Sequence, residues 1–406
     1  MRSQTKYKLT ALSSVTFIMV FGNSMLIPVF PQIQQALNIS FFQVGLLITY
    51  YSIAASIFIP VFGFVSDHIK RKIVIIAAVS LYGLGGGIIG LLSFFREGDG
   101  IFSLILASRI IQGIGAAGMS PIVLALVGDL FSSEERPKAL GLIEASNIFG
   151  KVISPVFGSL LALLVWFAPF FVYPLLALPV IIAMLFLIDE PDNKKKTPFK
   201  KYFSDLKNIF TQRGKFLWIS FLSAWASFLI LFGVLAFLSD ILETRYGIKG
   251  VLKGAVIAIP VSAWTISSFL SGFHLQKKTQ HLKYFVMTGL LLLGVTSVFI
   301  TFSQNIYFML ASVFLMGFGG GLVIPPLTVL VTNCAPIEER GGIVSLYGSI
   351  RFFGVAVGPP LFSFLADFNN KIPFWSSGAL AVGLLIMFAF LNNQEIIELC
   401  EKMKEA

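Results

Sequence analysis

One predicted helix of this sequence carries an acid, an amide and a cation on a single face. Glu144, Asn147 and Lys151 follow one another at spacings of three and four residues, which places them along one stripe of an α-helix. Glu144 and Lys151 would lie about 10 Å apart along the helix axis, too far for a direct contact. Each therefore needs another partner or water. A carboxyl in such a poorly solvated place, with cations nearby, is a candidate for reversible protonation.

Further charged and polar groups lie inside apolar segments. Arg109, within SRIIQGIGAAG, would lie about 12 Å below the outer surface of the membrane, eight residues into its predicted helix. A guanidinium in hydrocarbon costs at least about 2.5 to 3.5 kcal/mol, so Arg109 needs a partner or a wet cavity. A purely structural role is the plain alternative to a functional one. Asn23 is explained equally well by a hydrogen bond between helices and by a substrate contact. The candidate substrate contacts are Asn23, Gln112, Asn147, Lys151 and Arg351.

The elements that must position these residues are membrane-spanning helices. Of 406 residues, 56% are hydrophobic, 12% are charged and 42 are phenylalanine, an apolar content that exceeds what one soluble core can bury. Continuous apolar runs of about 18 residues or more predict spanning helices rather than alternating strands. We predict an all-α integral membrane protein with twelve spans, at 9–31, 43–66, 73–95, 101–127, 138–162, 166–188, 216–240, 251–274, 283–303, 305–333, 341–367 and 371–391.

The two halves of the chain resemble each other. LASRIIQGIGAAGMSP, from Leu106, aligns without a gap with LASVFLMGFGGGLVIP, from Leu310, and the offset stays constant as both copies continue. Gly113, for example, matches Gly317. A constant offset predicts two similar halves in the same order, as in transporters with parallel repeats. The predicted divisions are a six-helix half at 1–188, a cytoplasmic linker with an amphipathic helix at 189–215, and a six-helix half with a short cytoplasmic tail at 216–406.

The distribution of basic residues predicts the orientation. Roughly two thirds of the 30 Lys and Arg residues fall in the termini and in the loops that would share their side. The opposite loops carry few, among them Arg245, Lys249 and Lys253. We therefore place both termini in the cytoplasm and the chain in a bacterial-type inner membrane. The net charge of +10 reflects this topology and attraction to anionic lipid.

The loop after the second predicted span, GFVSDHIKRK, combines a small residue, an acid and several cations. Gly63 lets two helix ends approach, and Asp67 can meet a cation or a helix N-terminus. With Arg71 and Lys72, the loop resembles the first cytoplasmic motif of the major facilitator superfamily, Gly-x-x-x-Asp-Arg/Lys-x-Gly-Arg-Arg/Lys, although two of its positions differ. A degenerate copy without the acid, GFHLQKK, follows the eighth span.

Two further motifs resemble the same family. Arg109, Gln112 and Gly113 match Arg-x-x-Gln-Gly-x-Gly-x-Ala, whose arginine is linked to proton movement in proton-driven members. GKVISPVFGS matches Gly-x-x-x-Gly-Pro-x-x-Gly-Gly, with serine at two glycine positions, and this motif is associated with antiporters. A proline-kinked packing helix is the plain alternative, but it does not explain Glu144 and Lys151. The matching residues, with their partial repeat in the eleventh span, are Gly150, Pro155, Gly158, Gly354 and Pro359.

The resemblance covers the whole chain and implies the major facilitator fold, with two pseudo-symmetric six-helix halves around a central cavity that opens alternately to either side. The three motifs together resemble the twelve-helix drug:proton antiporter branch. The implied function is proton-coupled export of a small amphipathic compound. Lys151 and Arg351, the repeat equivalent of Asn147, equally suit an anionic metabolite, a siderophore or a metal complex.

Proton coupling is assigned to Glu144, Arg109 and Asp129. Glu144 is the preferred carrier, because some relatives carry an acid in the first helix where this chain has only Asn23. Asp129, at the cytoplasmic end of the fourth span, also suits a charge network with the loop that contains Asp67.

Other classes of function find less support in the sequence. It has no Gly-x-x-x-x-Gly-Lys-Ser/Thr loop and no nucleic-acid module, so we expect neither a nucleotide nor a nucleic acid as partner. No cofactor or metal is expected, since Cys334 and Cys400 lack the spacing of a metal site. A membrane-embedded catalytic constellation is missing, which argues against an enzyme. The third motif argues against an importer. A sensor would normally carry a soluble output domain, and the sequence shows none. We expect a monomer that handles protons, lipid and a small molecule.

Overall fold

The computed structural model describes residues 3–95, 100–132, 134–190, 199–277, 281–302, 305–333 and 340–396. Within these ranges the chain is helical apart from short turns. The helices are α1 (Ser3–Met25), α2 (Phe30–Leu37), α3 (Phe41–His68), α4 (Arg71–Phe95), α5 (Ile101–Ala117), α6 (Ser120–Leu130), α7 (Arg136–Leu161), α8 (Ala168–Leu187), α9 (Phe199–Thr244), α10 (Gly250–Lys277), α11 (Leu282–Phe299), α12 (Ile306–Asn333), α13 (Arg340–Phe368) and α14 (Ile372–Ala389).

Twelve segments of the described chain are long and apolar enough to cross a membrane, which confirms the predicted all-α architecture. Helices suit this role because their backbone groups are hydrogen-bonded internally. Two of the spans are interrupted. The first, Thr5–Leu37, is divided near Pro28 and Pro31, which cannot donate a backbone hydrogen bond. The fourth, Ile101–Leu130, consists of α5 and α6, with a proline at the start of α6.

The seventh span is part of a longer helix. α9 runs for 46 residues without a break, so the helix predicted in the linker 189–215 continues directly into the span. The side chains of 199–210 lie outside the described residues, and the position of this part in the lipid interface stays a prediction.

The helices form two compact units. Unit 1 comprises Met1–Thr197 and Ser239–Ala258, and unit 2 comprises Pro198–Leu238 and Ile259–Ala406. The end of α9, the start of α10 and the turn between them therefore belong to unit 1, although the remainder of both helices belongs to unit 2. This hairpin, 239–258, packs against α7.

The repeat is visible in how glycines pack within each unit. In unit 1, Gly113 of α5 faces the Tyr51 carbonyl of α3 so closely that a side chain at 113 would collide with it. In unit 2, Gly317 of α12 faces the Pro260 carbonyl of α10 in the same way. Small residues at these places let helices approach closely in an apolar environment. The predicted equivalence of the two halves thus extends to their helix contacts.

Candidate functional site

The predicted arginine of unit 1 is fully enclosed by its neighbours. Arg109 is 0% exposed, and its Nε donates to the Leu47 carbonyl at 2.9 Å. Its Nη1 donates to Gln112 Oε1 at 2.6 Å, one turn along α5. The guanidinium carbon lies 4.5 Å from the centre of the Tyr51 ring, a cation–π distance. No carboxylate of the described residues forms an ion pair with Arg109.

Two further tyrosines, beside Arg109, donate hydrogen bonds to backbone carbonyls of the first span. The Tyr82 hydroxyl donates to the Ile18 carbonyl at 3.0 Å, and the Tyr173 hydroxyl donates to the Gly22 carbonyl at 2.8 Å. The two rings meet edge to face, with centroids 5.3 Å apart. Residues of α1, α4 and α8 are thereby joined beside Arg109. Sequence reasoning missed both tyrosines, because an isolated tyrosine in an apolar helix gives no local signal.

The stripe predicted on α7 is present, and its members differ in burial. Glu144 is exposed, Asn147 is 7% exposed and Lys151 is half-buried. Asn147 Oδ1 has no hydrogen-bond partner among the described groups. One position earlier, the Ser146 hydroxyl donates to the Ser13 carbonyl of α1 at 3.2 Å. Asn147 therefore presents a buried acceptor for which a polar ligand would be a suitable partner.

Close packing fixes α7 against α1 along the third motif. Gly150 contacts Phe17, and Gly158 faces the Met25 carbonyl with no space for a side chain. Pro155 lies inside the helix and cannot donate to the Lys151 carbonyl; the Ser154 hydroxyl, 3.3 Å away, donates to that carbonyl instead. The predicted proline-containing packing helix is therefore present.

The predicted cation of unit 2 lies among aromatic rings. The Arg351 guanidinium carbon is 5.3 Å from the Phe228 ring centre and 5.5 Å from that of Tyr347. Arg351 Nε, Trp225 Nε1 and the Tyr347 hydroxyl are buried polar atoms without a hydrogen-bond partner in the described part of the chain. Gly354, one turn after Arg351, faces the Trp225 carbonyl, so these residues occupy facing turns of α9 and α13. Pro359 follows inside α13.

The motif at 63–72 forms an ionic network at the ends of three helices. Arg71 bonds to Asp67, at 3.2 Å, and to Asp129 of α6. Glu190 accepts hydrogen bonds from the backbone N–H groups of Arg71 and Lys72 at 2.9 and 2.8 Å. Its negative charge therefore offsets the positive end of the helix dipole at the start of α4. Gly63 lies one turn before Asp67 in α3. Asp129 is thus placed with Arg71.

Lys72 ties the same helix to the end of α8. Its ammonium donates to the Leu185 and Ile188 carbonyls at 2.8 and 2.6 Å. In unit 2, Lys283 donates in the same way to the Ala389 and Leu391 carbonyls at 2.7 and 2.6 Å. Glu190 was missed by sequence reasoning, although its position directly after an apolar span is a usable signal.

The remaining predicted site residues are placed as follows. Asn23 belongs to α1, but its side chain lies outside the described residues. Lys253 was counted as a loop cation, whereas the structure places it in α10 at 1% exposure, where it pairs with Glu243. Among the residues that the structure describes, no group of three or more His, Cys, Asp or Glu could hold a metal.

Comparison with known proteins covers nearly the whole chain. The family model of the Major Facilitator Superfamily matches residues 12–287 and 281–397. A bacillibactin exporter of Bacillus subtilis (strain 168) is 38% identical, over 94% of this chain and 95% of its own length. Multidrug resistance protein 1 of the same organism is 28% identical, over 94% and 96%. The crystal structure of a D-xylose-proton symporter shares the fold, with a TM-score of 0.78, 16% identity and coverage of 96% and 98%.

Proposed function

The chain belongs to the Major Facilitator Superfamily, and we propose that it exports a small amphipathic molecule in exchange for protons by alternating access. It is a multi-pass inner membrane transporter rather than an enzyme. Of the cargoes that the sequence leaves open, we favour an aromatic anion of the siderophore type. The transporter would act as a monomer with both termini in the cytoplasm.

The surroundings of Arg351 carry this choice of cargo. Three unpartnered donors, Arg351 Nε, Trp225 Nε1 and the Tyr347 hydroxyl, occur beside the faces of Phe228 and Tyr347. Flat rings in a cargo can stack on such faces, and anionic oxygens can accept from the donors. A cationic cargo would instead be repelled by the guanidinium.

The relatives support export of this kind. The relative that is 38% identical is named a bacillibactin exporter, and the match extends over almost the full length of both chains. Export of bacillibactin or a chemically similar compound is therefore a direct hypothesis for this chain.

Export of amphipathic drugs is the second candidate. It is supported by the 28% identity with Multidrug resistance protein 1. The apolar surroundings also suit such compounds, because Trp264 lies 5.3 Å from Phe228, centroid to centroid, beside Arg351. The two candidates differ in the charge of the preferred cargo.

For proton coupling we propose Glu144 as the carrier. It is exposed on α7, one turn from the unpartnered Asn147, and forms no ion pair with a described residue. Arg109 would supply a fixed positive charge in the same unit. Asp129, which is bound to Arg71, would act through the cytoplasmic network, whose bonds must break if the ends of α3, α4 and α6 separate.

The test is transport in proteoliposomes with an imposed pH gradient. The test compounds are bacillibactin, the aromatic anion salicylate and the aromatic cation ethidium. We expect gradient-dependent movement of bacillibactin or salicylate in the wild type, loss of coupling in Glu144→Gln, and loss of anion transport in Arg351→Gln. Arg245→Gln is the matched control, because Arg245 also lies over a tyrosine, Tyr246 at 5.6 Å, but is exposed.

Each outcome bears on a separate part of the proposal. Transport of ethidium alone would overturn the anionic cargo and favour the drug exporter. Coupling that is unchanged in Glu144→Gln would overturn the assignment of the carrier. Transport that ignores the pH gradient would overturn proton exchange.

A further inference from the structure

The hairpin 239–258 contains a buried ion pair that the proposed transport cycle does not yet use. Lys253 Nζ lies 2.7 Å from Glu243 Oε2, and the two side chains are 1% and 9% exposed. A buried pair of this kind is costly to desolvate, so its presence is weak evidence for a purely stabilising role. It therefore merits a functional explanation.

The geometry of the turn brings these two residues together. α9 ends at Thr244, and Gly247, just beyond it, adopts φ +64° and donates its N–H to the Glu243 carbonyl at 3.2 Å. The N–H of Ile248 donates to the Leu242 carbonyl at 2.8 Å, which completes a glycine-based helix cap. The chain then reverses, and Lys253 lies back beside Glu243.

A second acid gives the cluster an excess of negative charge. Asp240 precedes Glu243 by one turn, is half-buried and interacts electrostatically with both Glu243 and Lys253. Lys249 Nζ is 3.8 Å from Glu243, but its side chain is 70% exposed, so water screens its charge. The buried part of the cluster therefore has two carboxylates and one ammonium, and one added proton would make it neutral.

Two buried hydroxyls without partners accompany the cluster. Ser159 of α7 and Ser239 of α9 are 2% and 0% exposed, and neither Oγ has a hydrogen-bond partner among the described residues. A buried hydroxyl without a protein partner can bond to a water molecule, so Ser159 and Ser239 offer two places for water beside the cluster.

The cluster also lies where the hairpin rests on α7. Gly254, next to Lys253, faces the Pro155 carbonyl and Ser159 with no room for a side chain. Gly250, at φ +60°, contacts Leu163 just after α7. On this side of the hairpin, 152–165 carry no charge, and Lys151, one turn before Pro155, is the nearest charged residue of α7 in sequence. The charges of the cluster itself come from the hairpin: Asp240, Glu243, Lys249 and Lys253.

We propose that Asp240 and Glu243, with Lys253, form a proton-binding site at the predicted outer side of the membrane, and that its protonation loosens the hairpin from α7. A proton site is useful to this transporter only if protons are exchanged for cargo, so this inference rests on the proposed proton coupling. The step is a simple addition: a proton from the aqueous phase binds a carboxylate oxygen, and the attraction of that carboxylate for the Lys253 ammonium falls. The site is separate from Glu144, which lies on another part of α7.

The proton site can be tested without any cargo. Protons taken up by purified protein in nanodiscs are counted with a pH-sensitive dye as the pH is lowered from mildly alkaline to mildly acidic. The key variant is Asp240→Asn, which leaves the Glu243–Lys253 pair intact and neutral. We expect the wild type to take up a proton that Asp240→Asn does not. Glu243→Gln, which leaves Asp240 to face Lys253, serves as a second variant and should give the same result. Lys249→Gln is the matched control and should keep the uptake.

Amide hydrogen exchange of 239–258 provides the second readout. In the wild type and in Lys249→Gln, exchange should rise as the pH falls by more than the intrinsic chemistry predicts, whereas Asp240→Asn should show no such rise. The site would be overturned if the wild type and Asp240→Asn took up equal numbers of protons. It would also be overturned if amide exchange rose equally in both as the pH falls. Transport by the wild type under a pH gradient tests the proposed function separately. If Asp240→Asn loses proton uptake but wild-type transport does not depend on the gradient, the proton site stands and the proposed proton exchange is rejected.

Discussion

The two units each place an arginine over a tyrosine, but the two arginines are bound differently. Arg109 in unit 1 is 0% exposed and is held by the Leu47 carbonyl and by Gln112. Arg351 in unit 2 is half-buried, lies between Phe228 and Tyr347, and has an Nε without a partner among the described groups.

The difference separates two uses of the same side chain. A guanidinium whose position is fixed by protein acceptors contributes to the fold and to the local field. Arg109 Nη2 also lacks a partner among the described groups, but Arg109 is fully buried and bonded to two acceptors. Arg351 is half-buried beside two aromatic faces, and it is the arginine that we propose to bind a ligand. The repeat therefore conserves the architecture of the two units while it allows different chemistry in each.

The largest expected effect concerns stability at the two arginines. Arg109→Ala should lower the free energy of unfolding by roughly 3 to 5 kcal/mol, because a large buried side chain is lost and Gln112 loses its donor. Arg351→Ala should cost about 1 kcal/mol, since no described acceptor depends on its Nε. Thermal unfolding in one detergent would compare them. Equal losses would erase the distinction between a structural and a ligand-binding arginine.

The glycines test whether the architecture of the units is equivalent. Gly113→Ala and Gly317→Ala should each destabilise by about 1 to 3 kcal/mol, because each new methyl group meets a backbone carbonyl. Gly383→Ala is the control, as nothing lies within 4 Å of its added methyl group. The measurement is again thermal unfolding. A large effect in one unit alone would show that the repeat is not conserved in packing.

A smaller effect is expected at the end of unit 1 that carries Arg71 and Glu190. Glu190→Gln should cost about 1 to 2 kcal/mol, because the carboxylate accepts from two backbone N–H groups at the start of α4. Asp189→Asn, at the exposed neighbour, is the control and should have little effect. Chemical denaturation would measure both variants. If they behave alike, Glu190 does not stabilise the helix start.

The smallest effect should be the same in both units. Lys72→Met and Lys283→Met each remove an ammonium that donates to two carbonyls at a helix end. Each should lose about 0.5 to 1.5 kcal/mol, measured by the same denaturation series. A clear inequality would mean that these matching contacts differ in strength.

Much of the fold could be predicted from the sequence, because lipid allows few architectures. Continuous apolar runs define the spans, and glycines at a constant offset define the repeat. The continuity of α9 was not predicted. Its polar first part carries a helical pattern like that of the span that follows, and periodicity alone does not show that no break intervenes.

The site was predicted unevenly. The motif residues Arg71 and Arg109 have polar partners in the structure, Asp129 and Gln112, and their roles in transport stay predictions. Tyr173 and Glu190 were missed because their partners are distant in sequence. Lys253 was taken for a loop cation, because the positive-inside pattern counts charge and carries no information on a nearby buried carboxylate.

Equilibrium binding by calorimetry tests the central claim, that Arg351 belongs to a site for an aromatic anion. Bacillibactin and ethidium would be titrated into the wild type, Arg351→Gln and Arg245→Gln. We predict that Arg351→Gln weakens bacillibactin binding about ten- to a hundredfold, the value of a charged hydrogen bond, and does not weaken ethidium binding. Arg245→Gln should bind like the wild type. Bacillibactin binding of equal strength in the wild type and Arg351→Gln would contradict the account.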